Sequence, residues 1–213
     1  MGSRPYGRAH HRGGRKLNNQ DELSLEIGGQ VFCGVHWQRS GVVPVIALHG
    51  WLDNAATWSR LLPLLDSDEV LALDLAGHGR SDHRPPSVPY HFIDNVGDVI
   101  AVADAMGWQR FGLLGHSLGA SVATLVAGTV PDRVSRLICI EGFGPLTTAA
   151  EKAPRQLAKS IARYHGSAGS VRLYDSVEAA ARTRAEATKV SIGAARILCE
   201  RGTRIENGQV CWS

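Results

Sequence analysis

Residues 111–120 read Phe111-Gly112-Leu113-Leu114-Gly115-His116-Ser117-Leu118-Gly119-Ala120. Phe111–Leu114 is a short uncharged apolar run, the pattern of a strand buried on both faces. Leu118–Val130 is rich in small apolar residues and reads as a helix. Between them Gly115-His116-Ser117-Leu118-Gly119 fits G-x-S-x-G, a sharp strand-to-helix turn that lifts its central serine out of the backbone. The flanking glycines let the chain pass close to its neighbours without a Cβ clash. Ser117 therefore falls at the carboxyl end of a parallel strand, where open α/β sheets place their sites.

Outward from this stretch the same alternation recurs. Leu23, Leu25 and Ile27 alternate with polar residues, Gly28-Gly29 makes a turn, and Val31–Trp37 follows, which together predict an antiparallel hairpin. Val42–Leu48, Val70–Leu75 and Val134–Ile140 are further buried-strand runs. Helical spacing appears over Ala55–Leu65 and His91–Met106. Strands separated by helical stretches mean β-α-β units, hence an α/β fold with a mostly parallel sheet and helices on both faces. After Gly144 the composition shifts to Ala, Arg, Lys and Ser. Residues 149–164, 177–189 and 190–201 read as three helices of a cap set on the sheet. Asp175-Ser176-Val177-Glu178 resembles a capping box opening the second. The expected division is a disordered basic tail over 1–20, an α/β core over 21–145 and a partial helical cap over 146–213.

Charge is unevenly spread over the 213 residues. The first twenty carry +5 and no acid, whereas the rest carry −2. A slightly acidic body, with the basic charges confined to a tail without interleaved aromatics, argues against nucleic-acid binding. No run approaches the ~20 apolar residues of a membrane span. Cys33, Cys139, Cys199 and Cys211 are far apart and lack zinc spacing. They read as plain thiols, which with the absence of an apolar leader suggests a reducing, cytoplasmic setting. No metal or organic cofactor is expected.

The chemistry suggested is acyl transfer. It needs a nucleophile and two N–H donors aimed at the developing oxyanion. Ser117 is the candidate nucleophile. The Leu118 N–H, at the helix start beside it, is the natural first donor. The Trp51 N–H, in the turn His49-Gly50-Trp51 after an earlier strand, is the natural second. His49 reads as a structural hydrogen-bonder, and Asp74–Asp82 as a tight glycine loop that gives shape, not chemistry.

Leu48-His49-Gly50-Trp51, Gly77-His78-Gly79-Arg80-Ser81 and Gly115-His116-Ser117-Leu118-Gly119, in this order, resemble the α/β-hydrolase superfamily. His49–Ala55, Val88-Pro89-Tyr90 and Arg201-Gly202-Thr203 narrow the resemblance to its serine hydrolase-like proteins. It covers residues 22–213. It implies an α/β-hydrolase fold, a small-molecule ester or similar acyl substrate, and an acyl-Ser117 intermediate. Serine at 117 speaks against the branches that use aspartate there.

The superfamily order is serine, then acid, then histidine. Glu141, 24 residues after Ser117 at the end of the next strand, is the candidate acid. The only later histidine is His165, inside the cap. The resemblance therefore implies a chain truncated within the cap, with the C-terminal strands and the catalytic histidine absent. Without a base, Ser117 is a poor nucleophile. The alternative expectation is an inactive hydrolase-like protein that binds a small ligand or partner. In a chain truncated in this way Val134–Ile140 would be an exposed edge through which the chain self-associates.

Overall fold

The structure is a computed structural model and describes residues 8–11, 20–38, 43–65, 69–145, 147–166 and 172–213, with the backbone alone for 8–11 and 163–166. Its core is a seven-stranded sheet in the order β1-β2-β3-β5-β4-β6-β7. The strands are β1 (Arg8–His11), β2 (Gln20–Ile27), β3 (Gln30–Trp37), β4 (Val45–Leu48), β5 (Val70–Leu73), β6 (Phe111–His116) and β7 (Val134–Ile140). The first three and β5 pair antiparallel, and β5, β4, β6 and β7 run parallel. The β2–β3 turn is Gly28-Gly29, both at positive φ as a tight hairpin turn requires.

Two helices, α1 (Asp94–Ala105) and α2 (Leu118–Thr129), share one face of the sheet. Val96, Val99 and Val102 of α1 and Val122, Ala123 and Val126 of α2 close the main core over Ile46, Leu48, Leu71, Leu73 and Leu113. The opposite face is covered by two short 3₁₀ turns, Ala55–Trp58 and Leu62–Leu64, over Trp37, Ala47, Ala72 and Leu114. The helix expected over Ala55–Leu65 is thus broken into these turns. Pro63 breaks it, since proline inside a helix removes a hydrogen bond and clashes with the preceding turn.

Three other expectations need correction. Arg8–His11, placed in the disordered tail, forms β1 along the free edge of β2. A strand can join such an edge through backbone bonds alone, with no apolar side chains; the remainder of 1–19 lies outside the described residues. The cap is not purely helical. Beside α3 (Ala153–Gly166), α4 (Val177–Thr188) and α5 (Ile192–Gly202) it holds a small antiparallel sheet of β8 (Leu173–Tyr174), β9 (Thr203–Glu206) and β10 (Gln209–Trp212). Tyr174, Ala180, Ala181, Ala195, Cys199 and Val210 pack between this sheet and α4–α5. Finally, Ser176 does cap α4, accepting the Ala179 N–H at 3.1 Å. Glu178 does not close a capping box; it sits one position early and pairs with Arg196 of α5.

The expected exposure of Val134–Ile140 is present, with β7 at the sheet edge and Ile138 52% exposed. No described helix is long and apolar enough to cross a membrane.

Candidate active site

Because β4, β5, β6 and β7 are parallel, the turns that follow them lie at one end of the sheet. These turns carry Trp51, Gly77–Ser81, Ser117 and Glu141 respectively. Ser117 has φ 51° and ψ −112°, a conformation that L-residues rarely adopt. Such strain costs on the order of 1–3 kcal/mol and persists only where the surroundings enforce it. Here two glycines enforce it. A Cβ at Gly115 would meet the Ala120 Cα at 2.5 Å, and one at Gly119 would run into the Leu48 backbone carbonyl. Only glycine lets α2 seat this closely on the ends of β4 and β6. The Ser117 N–H donates to Ile140 O at 2.9 Å, tying the turn to β7. Leu118 opens α2, so its N–H lies among those with no intrahelical acceptor.

The Ser117 hydroxyl has no hydrogen-bond partner among the described residues. The histidines near it are otherwise engaged. His49 is fully buried; its Nδ1 donates to Gly50 O at 2.8 Å and its Nε2 accepts the Leu75 N–H at 3.0 Å. Burial, then repulsion from His78, lowers its pKa to about 4, so it stays neutral. His78 Nδ1 donates to Ala76 O at 3.0 Å, and burial lowers its pKa too. Its ring lies 5.1 Å from that of His49 and edge-on to Trp51 at 5.7 Å.

His116 reaches across the strand ends. Its Nε2 is 2.9 Å from Glu141 Oε2, and its Nδ1 is 3.9 Å from Asp53 Oδ2. Gly50 makes room for the ring, since a Cβ there would lie 2.9 Å from Nδ1. Glu141 itself has φ 56° and is mostly exposed. The candidate acid is thus brought to the same rim as Ser117, but its carboxylate is paired with His116. His165 lies near the end of α3, and its side chain is outside the described residues.

The cap holds the loop that carries Trp51 through contacts that sequence reasoning missed. Arg184 of α4 donates to Leu52 O at 2.8 Å and ion-pairs with Asp53. Asn54 Nδ2 donates to Leu198 O of α5 at 2.8 Å. Beneath them Asp74, wholly buried at the end of β5, accepts the Ala55 and Arg80 N–H groups at 2.7 and 3.0 Å. Arg201 of α5 completes its shell, donating Nη2 to Asp74 at 2.7 Å and Nη1 to Glu22 at 2.6 Å. Burial opposes the Arg201 charge, but Asp74 and Glu22 outweigh it and raise its pKa. The Asp74 loop, expected to supply shape, is also the anchor of the cap. Only one hint was available: Asp74, Arg80 and Ser81 crowd charge and hydroxyl into a glycine loop.

Between the cap and the strand ends lies a cavity of about 480 Å³. Trp51, His116 and Glu141 line it from the core, and Arg184, Val190 and Ile197 from the cap. It suits a small ligand with an apolar portion. Among the described residues no three His, Cys, Asp or Glu side chains gather as a metal would need.

A family model described as alpha/beta hydrolase fold matches residues 43–183. A serine hydrolase-like protein of Danio rerio is 35% identical over 189 residues, 86% of this chain and 56% of the relative. A serine hydrolase-like protein of Homo sapiens is 40% identical over 121 residues, 56% of this chain and 60% of the relative. The chain thus spans less than two thirds of either relative. Among solved structures, a hypothetical protein of Pseudomonas aeruginosa PAO1 superposes with a TM-score of 0.85 at 37% identity, covering 93% of this chain and 69% of the other. A thioesterase domain from the curacin biosynthetic pathway gives 0.78 at 31%, covering 92% and 72%.

Proposed function

The chain belongs to the α/β-hydrolase superfamily, and on that premise we propose that it carries the nucleophile half of a serine hydrolase site acting on ester or similar acyl substrates. The observation that carries this reading is the strained backbone of Ser117, enforced by Gly115 and Gly119 at the carboxyl end of a parallel strand. In the proposed reaction Ser117 Oγ attacks the acyl carbonyl. Its bond to carbon forms as the carbonyl electron pair moves onto oxygen. The Leu118 and Trp51 N–H groups receive that oxyanion, each worth about 3 kcal/mol in such sites. Collapse expels the leaving group and leaves an acyl-Ser117, which water then hydrolyses.

No imidazole among the described residues is bonded to Ser117, so in this reading solvent water takes the serine proton and returns one to the leaving group as it departs. A positioned base is worth roughly 10²–10⁴-fold. Oxyanion donors and binding alone retain about 10³–10⁴-fold over water when triad members are lost. The reading therefore gives this chain slow, serine-specific acylation. Glu141 serves here as a rim carboxylate held by His116. A second reading, a hydrolase-like protein that binds a small acyl ligand without turnover, is favoured by that same His116–Glu141 pair.

The test is labelling with a fluorophosphonate probe beside Ser117→Ala. Slow labelling lost in the variant supports the nucleophile. Labelling that survives in Ser117→Ala, or none in a folded protein, removes Ser117 from the chemistry.

A further inference from the structure

No described side chain of α3 is buried. Every described side chain from 151 to 162 is exposed, including Leu157 at 62% and Ile161 at 49%. A helix with nothing packed on it is usually polar all round. This one is strongly two-sided. At 100° per residue Pro154, Leu157, Ala158 and Ile161 fall on one side. Arg155 and Lys159 fall on the other. Over residues 153–166 the sequence has three basic residues, Arg155, Lys159 and Arg163, and no acid. Phe143, in the loop leading to the helix, is also exposed.

We propose that α3 is a docking helix for an anionic lipid surface, lying along it with Leu157 and Ile161 inserted at the headgroup level. Charge complementarity selects this occupant. Three cations with no acid in the helix repel basic and favour acidic surfaces, and the apolar stripe on the opposite side needs a non-aqueous phase. A low overall hydrophobicity with Lys and Arg on the polar side and Leu on the other is the pattern of interfacial helices. The helix has 14 residues, about 21 Å, which is too short to span a bilayer. It lies on the membrane, not through it. The cavity lined by α4 and α5 belongs to the same cap, so docking would bring acyl substrates near it. The docking proposal itself does not depend on catalysis.

The experiment is co-sedimentation of the full chain with phosphatidylcholine vesicles, with or without about one third phosphatidylserine. The expected result is binding to anionic vesicles only, weakened by salt as the Debye length shortens. Arg155→Gln with Lys159→Gln should weaken it about 25-fold, at roughly fivefold per cation removed. Leu157→Ser with Ile161→Ser should weaken it at least about tenfold. All four positions are exposed, and circular dichroism checks the fold of each double variant. If one pair fails to fold, the other decides. No binding to anionic vesicles at low salt would overturn the proposal. Binding that survives in a folded double variant would do so too, assigning the attraction to the basic residues of 1–20. Binding to polyglutamate but not to vesicles would mark an acidic protein as the occupant and equally overturn it.

Discussion

Replacing Arg201 with methionine keeps the length and apolar stem of the side chain and removes its charge. Asp74 is wholly buried, and it would lose the Nε donor at 3.0–3.1 Å and the Nη2 donor at 2.7 Å. It would keep only the Ala55 and Arg80 N–H groups. Hydrogen bonds to charged groups contribute about 1.5–3 kcal/mol each. Two lost at Asp74 amount to roughly 3–6 kcal/mol, with a smaller loss at the partly exposed Glu22. Sparing the guanidinium its desolvation offsets part of this. The balance, about 3–5 kcal/mol, agrees with what breaking one partner of a buried ion pair costs. Urea unfolding followed by tryptophan fluorescence would read it, since Trp58 is buried where α5 meets the core and Trp212 packs against Arg184 of α4. Arg201→Lys, which restores charge without the planar fork, should recover part of the loss. A cost below about 1 kcal/mol in Arg201→Met would refute the reasoning, because water would then be reaching Asp74.

Two further outcomes follow from the same structure. His49 is held near pKa 4 in the fold against an ordinary 6.5, so the folded state favours its neutral form. That contribution is fully present above pH 6.5 and is lost as pH falls through 6.5 towards 4. It amounts to about 3 kcal/mol. Unfolding free energies of the wild type should therefore fall by that much more than those of His49→Gln between these limits, and equal slopes would contradict it. For the open edge of β7, Ile138→Lys should lower self-association measured by light scattering, since charge on an edge strand blocks strand pairing. Unchanged association would place the contact elsewhere.

The core was legible because its strands are buried on both faces, which writes them as unbroken apolar runs. Phe111–Leu114 lies within β6 in this way; Val134–Ile140 coincides with β7, although that edge strand has no buried residue. The location of Ser117, Trp51 and Glu141 at one end was legible for a related reason: each follows such a run. The cap strands were missed although Asn207-Gly208, both at positive φ, is a strong hairpin signal. Strands of four residues with Ile205 exposed leave little alternation to read. The contacts that organise the site were barely legible. His116–Glu141 joins residues 25 apart across two strand ends, and Arg201–Asp74 joins residues 127 apart. Neither leaves a periodic trace, because each depends on how the cap and strand ends pack.

Ser117 is positioned for attack, and among the described residues no base is bonded to it. The most direct test is the rate of fluorophosphonate labelling at neutral pH with and without added imidazole. The account predicts slow labelling that imidazole accelerates at least about tenfold, within the range of general-base help, and none in Ser117→Ala. Fast labelling that imidazole leaves unchanged would contradict it, because a base would then already be serving Ser117.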